Sequence, residues 1–219
     1  MARSDGEILV IGLGRFGGAF AETLIELGHE VMGVDADARV VQAYAGTLTH
    51  VVTADSTDLQ AMRQIGAAEF GTAVVAIGTG VEASVLTTAV LVDLEVRRIW
   101  AKAVTEPHGK ILERVGAHRV IFPERDMGIR VAHSAVGRMI DYIQLDPGFA
   151  LVETTPPRAI VGRTLAEAEV RRRYGITVVC IKPEGEPFTY ATPDTVVKEG
   201  DVLVVAGETR RAEAFGEMD

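Results

Sequence analysis

The chain has 219 residues, 47% of them hydrophobic, which is enough for one good-sized domain plus a small one. A formal net charge of −9 argues against nucleic acid as the main partner, and a single cysteine, Cys180, excludes an internal disulfide and any cysteine-based metal cluster. No apolar run reaches membrane-spanning length and the polar start MARSDGE is not a secretory signal, so the expectation is a cytoplasmic globular protein.

The first element is the continuous apolar run Ile8-Leu9-Val10-Ile11, as in a parallel strand covered on both faces, and it stops at Gly12. Gly12-Leu13-Gly14-Arg15-Phe16-Gly17 then fits G-x-G-x-x-G. The first glycine makes a tight turn, the second admits phosphate close to the backbone, and the third lets helix and sheet approach. The helix that starts near Arg15 or Phe16 and ends at Gly28 aims unpaired N–H groups and its positive dipole end at that turn, a site for phosphate. A second strand, Glu30 to Val34, delivers Asp35, whose carboxylate can accept from ribose hydroxyls and would repel a 2′-phosphate, so NADP is disfavoured. Asp37, two residues on, is counted with it as a binding residue.

A helix through Val40 to Tyr44 follows, then a third strand, His50 to Asp55, again ending in a carboxylate. Thr57 to Ile65 reads as a helix closed by Gly66, and Thr72 to Ile77 as a fourth strand stopped by Gly78. The next helix, Val81 to Leu94, is apolar almost all round, so it belongs in the core or in a subunit contact. Arg98 to Val104 is the fifth strand, Pro107 to Val115 its helix, and Arg119 to Phe122 a short sixth strand. This alternation predicts an α/β fold: a Rossmann-like doubly wound parallel sheet of order 3-2-1-4-5-6, with right-handed crossovers.

A helix over Asp126 to Ile140 completes a first, nucleotide-binding domain of residues 1–140, and Tyr142 to Pro147 reads as a passage to a second domain, residues 141–219. There FALVET, a helix from Thr164 to Tyr174 with a Thr cap, ITVVCI, FTYA and DVLVVAG predict a small α+β domain. Cys180, inside TVVCI, reads as an inert core residue.

Arg15 stands beside the phosphate position, where a guanidinium can bond phosphate oxygens, although a solvated charge at a helix start has the same pattern. Asp55 and the adjacent Ser56 can meet an adenine amino group, and Asp55 can equally cap the following helix. Ile77, Gly78 and Thr79 end the fourth strand across the switch point and should wall the other side of the crevice. Lys102 is an isolated charge in an apolar strand, which calls for an anion: a phosphate or a salt bridge to Glu124. Five histidines show neither metal spacing nor a triad pattern and read as surface or strand-end residues. Arg171-Arg172-Arg173 reads as a solvated face.

The run IGLGRFGG, the strand ends at Asp35 and Asp55, VVAIG at Val74 to Gly78, IWAKA at Ile99 to Ala103 and FPERDMG at Phe122 to Gly128 resemble the RCK (TrkA-N) domain of KtrA-type subunits. The tail segments VGRTLAEAEVRRRYGITVV and PDTVVKEGDVLVVAG resemble the companion TrkA-C domain, so the likeness covers nearly the whole chain. It implies a cytoplasmic regulatory subunit, without catalytic turnover, that assembles as an octameric ring of dimers on a potassium-transporting membrane subunit. It further implies that ATP and ADP, and in some members NAD(H), bind the first domain and set the shape of the ring. By the same resemblance Arg15 reaches the terminal phosphate of a nucleotide held by a neighbouring subunit. Glu124 matches the glutamate that helps hold a divalent cation, Mg²⁺ or Ca²⁺ by its oxygen chemistry, although helix capping would also account for it. Some relatives bind cyclic di-AMP between C-terminal domains, and Ile160, Val161 and Arg171 lie in the comparable stretch. The competing readings are an NAD-dependent oxidoreductase, which the fingerprint alone would imply but for which the tail offers no evident acid/base pair, and an assembly module with a vestigial pocket.

Overall fold

In this computed structural model, which describes residues 4–135 and 138–219, the chain divides into two compact units, residues 1–124 and 125–219. The first alternates strictly: β1 (Ser4–Ile11), α1 (Arg15–Glu26), β2 (Glu30–Asp35), α2 (Ala38–Tyr44), β3 (His50–Thr53), α3 (Leu59–Gln64), β4 (Phe70–Val75), α4 (Val81–Asp93), β5 (Arg98–Lys102), α5 (Glu106–Val115) and β6 (Arg119–Ile121). The six strands are all parallel in the order β3-β2-β1-β4-β5-β6, the order the sequence predicts. In the central strand Ile11 is in register with Val34 on one side and Val75 on the other.

Successive residues of β1 point to opposite faces, and two cores result. Val10 joins Leu13, Ala21, Leu24, Val31 and Leu48 on one face. Leu9 and Ile11 join a larger cluster on the other, with Met62, Val75, Leu91, Ile99 and Leu112 among its members. A sheet covered on both faces explains why its strands read as continuous apolar runs.

Several boundaries differ from the sequence reading. The third strand stops at Thr53, short of Asp55, and the next helix is shorter because Asp58, whose carboxylate accepts from Gln60 N at 2.7 Å, is its cap. Helix α4 buries Ser84, Thr87 and Thr88 along with Val90 and Leu91, and leaves Val81 and Leu86 exposed. Its small polar side chains allow close approach to the layer beneath, which an apolarity count does not register.

α6 spans Pro123–Ser134 instead of Asp126 to Ile140. Pro123 sits in its first turn, where the missing N–H costs nothing; part of the segment expected to be helical, residues 136 and 137, lies outside the described residues. The expected linker at Tyr142 to Pro147 is instead a strand. β7 (Met139–Asp146) pairs antiparallel with β8 (Phe149–Thr154) across a turn at Pro147-Gly148, closed by Gly148 N donating to the Asp146 carboxylate at 2.6 Å.

The second unit continues with α7 (Leu165–Ala168), α8 (Val170–Tyr174), β9 (Ile176–Lys182), β10 (Thr189–Tyr190), β11 (Val202–Glu208) and α9 (Thr209–Gly216), and its strands form an antiparallel sheet of order β10-β9-β11-β8-β7. The single helix expected from Thr164 breaks at Glu169, which takes a left-handed conformation with φ 46°. Thr164 and Glu167 form the expected cap reciprocally, as a capping box. α9 has no counterpart in the sequence reading. This unit has its own core, which includes Tyr142, Val152, Ile160, Leu203 and Phe215. Cys180 is half-buried on β9, not a core residue.

Candidate functional site

The glycine turn lies at the carboxyl end of the central strand. Gly12 has φ 89°, a left-handed conformation that favours glycine, and its N–H donates to Val34 O at 2.7 Å, tying the turn to β2. At Gly17 a Cβ would stand 1.9 Å from the Gly12 carbonyl oxygen and 2.9 Å from the Ala76 Cβ, so only a hydrogen fits between helix and turn. Gly14 differs. It is the N-cap of α1 with φ −66°, it gives the helix no side-chain cap, and a Cβ there would meet nothing within 4 Å. The middle glycine therefore opens onto free space while the outer ones are packed against backbone. No acid occupies the first turn of α1, so its positive end is uncompensated there.

Asp35 braces this turn as well as facing it. Its Oδ2 accepts from Leu13 N at 2.8 Å and its Oδ1 from Asp37 N at 2.9 Å, and each oxygen keeps further acceptor capacity for a hydroxyl. Asp37 caps α2 by accepting from Arg39 N at 2.9 Å, and the same carboxylate takes the Arg39 guanidinium through Nε at 3.2 Å and Nη2 at 2.8 Å. That fork holds the Asp37 carboxyl below the usual carboxylate range and raises Arg39. Between turn and helix lies an open cleft of about 490 Å³ lined by Leu13, Gly14, Arg15, Asp37, Arg39, Val40, Ala43 and Tyr44. Its α2 wall beyond Asp37 escaped the sequence reading. The available signal was the position of Arg39 in the first turn after the cap, two residues from an acid it could pair with.

On the opposite side of the turn a second group of expected residues comes together. Lys102, at the end of β5, is buried, and its ammonium pairs with the Glu124 carboxylate. The Nζ lies 5.7 Å from the centroid of the Phe16 ring, and a Cβ on Gly78 would come within 3.0 Å of it. Arg15 is exposed and acts electrostatically on the same carboxylate, which is held below its usual range first by the hydrogen bond from Lys102. Ile77 packs partly against the core and Thr79 is exposed.

Asp55 and Ser56 are placed differently from expectation. Asp55 accepts from Thr57 N at 2.9 Å and Thr57 Oγ1 at 2.7 Å, which lowers its pKa, and it does not cap α3, since Asp58 does. Ser56 is buried with its hydroxyl 2.8 Å from Thr87 Oγ1, turned onto α4. Asp55 stays exposed; Ser56 is occupied internally. Of the histidines, His108 contradicts the surface reading: it is 2% exposed, and its Nδ1 accepts from Val104 N at 3.3 Å. Ile160 lies fully buried in the second core, while Val161 is half-buried and Arg171 exposed.

Among the described residues no group of three or more His, Cys, Asp or Glu side chains could hold a metal ion. Glu124 offers one carboxylate, beside an ammonium. That donor fits a hard cation which takes its other oxygens from a bound phosphate and water, not a site built by protein alone.

A parallel sheet in this order, with an open second glycine, a helix N-terminus and the Asp35 carboxylate at one end of it, defines a Rossmann-type domain, here followed by a small antiparallel domain. Residues 8–123 match the TrkA-N domain model and residues 149–218 the TrkA-C domain model, so the chain belongs to the TrkA-N/TrkA-C family. It is 37% identical over 210 residues to Ktr system potassium uptake protein A of Bacillus subtilis (strain 168) and 39% identical over 210 residues to Ktr system potassium uptake protein C of the same organism, covering 95% of each chain in both pairs. Its fold matches that of the GsuK channel bound to NAD with a TM-score of 0.69 at 18% identity, covering 99% of this chain and 40% of the channel chain.

Proposed function

We propose that the chain is a cytoplasmic, nucleotide-sensing regulatory subunit of a potassium transport system, without catalytic turnover of its own. The first domain takes ATP or ADP, with NAD(H) as the other candidate ligand, and the second is the regulatory domain. The carrying observation is the open space at Gly14 between a helix N-terminus and the Asp35 carboxylate, since phosphate and ribose need those two features side by side. Kinship to two potassium uptake proteins over 95% of the chain supports the transport assignment.

In this reading the subunits form an octameric ring, built from dimers, on a potassium-transporting membrane subunit, and nucleotides act by population shift. A ligand that fits one ring geometry better biases the ring, and the bias reaches the partner. Arg15 reads the terminal phosphate. Glu124 shares a Mg²⁺ or Ca²⁺ ion with that phosphate, and cyclic di-AMP at the second domain is a further input. Native mass measurement with ATP, ADP and NADH added separately reports ring size and ligand choice together; a protein that retains none of the three overturns the reading. Arg15→Ala is expected to keep nucleotide binding but to narrow the ATP-over-ADP ratio, and unchanged ratios by calorimetry would remove Arg15 from that assignment. An assay of NADH turnover separates this reading from an oxidoreductase.

A further inference from the structure

Lys102 stands out among the charged residues. Its side chain is 8% exposed, and the acceptor it meets among the described residues is Glu124. An ammonium carries three N–H donors and no acceptor, and a buried cation with donors unspent is costly. One carboxylate oxygen and the face of an aromatic ring are a thin environment for such a group.

The two halves of the pair differ in exposure. The Glu124 side chain is 65% exposed, so the cation is anchored and the carboxylate is its solvent-side cover. The anchor lies between Phe16, in the first turn of α1, and Gly78, just past β4, which are the two banks of the crevice at the switch point of the sheet. Gly78 keeps that space: its own Cβ would come within 3.0 Å of the Lys102 Nζ. A carboxylate and a phosphate present the same chemistry to an ammonium, oxygen acceptors with negative charge, but the phosphate brings more of both. The Glu124 carboxylate is mostly in solvent already and regains water when it leaves, so exchanging it for another anion costs little, whereas leaving the buried Lys102 unpaired would be costly.

We propose that Glu124 is the resident occupant of an anion subsite at Lys102, and that a phosphate group of a bound nucleotide displaces it. Ligand-free protein is then closed by Lys102–Glu124 and liganded protein by Lys102–phosphate. Glu124 competes with the ligand, and its carboxylate becomes available to a cation only after the exchange. The inference rests on the nucleotide reading above and adds the sign of the Glu124 effect. A glutamate that acts solely through a metal helps binding when the metal is present and does nothing without it, whereas a competitor hinders binding even when a chelator has removed the metal.

The test is calorimetry in EDTA with ATP, ADP and adenosine on the full chain, comparing wild type, Glu124→Gln, Lys102→Met and the double variant. The expected result for Glu124→Gln is affinity about three- to tenfold tighter for ATP and ADP, with adenosine unchanged. Lys102→Met should weaken both nucleotides, and adding Glu124→Gln to it should bring no further gain. Because the decisive variant gains affinity, misfolding cannot imitate the outcome. Nucleotide affinity equal to or weaker than wild type in Glu124→Gln overturns the exchange while leaving nucleotide binding intact, as does an equal gain for adenosine. Absence of nucleotide binding in wild type and Glu124→Gln alike overturns both readings.

Discussion

At the scale of single residues, two glycines of the turn, Gly17 and Gly14, make separable predictions. Gly17→Ala would push a methyl into the Gly12 carbonyl and the Ala76 side chain, so helix and strand must part. Overpacking against backbone predicts a loss of about 3 kcal/mol or more in a denaturant titration. Gly14→Ala adds its methyl to open space at a φ that alanine adopts freely, so the midpoint should hardly move. In the proposed reading the same methyl lies where phosphate approaches, and nucleotide affinity should fall about tenfold or more. If Gly14→Ala bound nucleotide as wild type does, the turn would not be the phosphate site. The G-x-G-x-x-G pattern and Asp35 were legible in the sequence because backbone geometry leaves few residues that can serve there. What Asp35 also does, accepting from Leu13 N and Asp37 N to brace the turn, was not legible, because those bonds depend on how β2 and the turn meet.

Among the elements, α5 carries a buried titratable group that its local sequence does not signal. Thr105 caps it and Glu106 and Pro107 open it, as the sequence implies, yet His108 in the same turn is folded inward. Its Nδ1 accepts from Val104 N, so the neutral ring carries its proton on Nε2, which has no partner among the described residues. Burial pushes its pKa below the ordinary imidazole value of 6.5. In the unfolded chain the ring takes a proton as pH falls through about 6.5, while the folded ring resists until lower pH. Between those two values the unfolded state binds more protons, so stability present above pH 6.5 declines as the pH drops towards the folded pKa. His108→Gln should flatten this decline, read as the difference in urea midpoint between about pH 7.5 and about 5.5. An unchanged slope would place the pH dependence elsewhere. In α4 the overall apolarity is plain from the sequence, but the buried face includes Ser84, Thr87 and Thr88, which fit there by size.

For the whole molecule, the two units keep separate cores: Leu9, Val75 and Leu112 belong to one, Val152, Leu203 and Phe215 to the other. A unit with a complete core can fold by itself. Residues 1–124 expressed alone are therefore expected to unfold cooperatively and, in the proposed reading, to melt at higher temperature when ATP is added, as binding to the folded state requires. Loss of a cooperative transition would show that the first unit depends on the second. Within the second unit, the part of β7 from Tyr142 onward reads in the sequence as a passage between domains, because the β/α alternation of the parallel sheet stops before it. It is a strand because Met139 and Tyr142 find the second core and β8 supplies its hydrogen bonds.

The sequence by itself determined the alternation of strands and helices, the strand order, the glycine turn and the carboxylate at the end of the second strand. The elements follow from the period of apolar residues and the turn from the few residue types it accepts, both local properties, while the strand order follows from the topology that strict alternation of strands and helices adopts. Only the tertiary structure decided which polar side chains face one another: Lys102 on Glu124, one of the two anions its isolated charge called for, Ser56 on Thr87 rather than on a ligand, Arg39 forked to Asp37 along the cleft. Such pairings join residues 22 and 31 positions apart, or set a rotamer within one turn, and they depend on how sheet and helix layers pack.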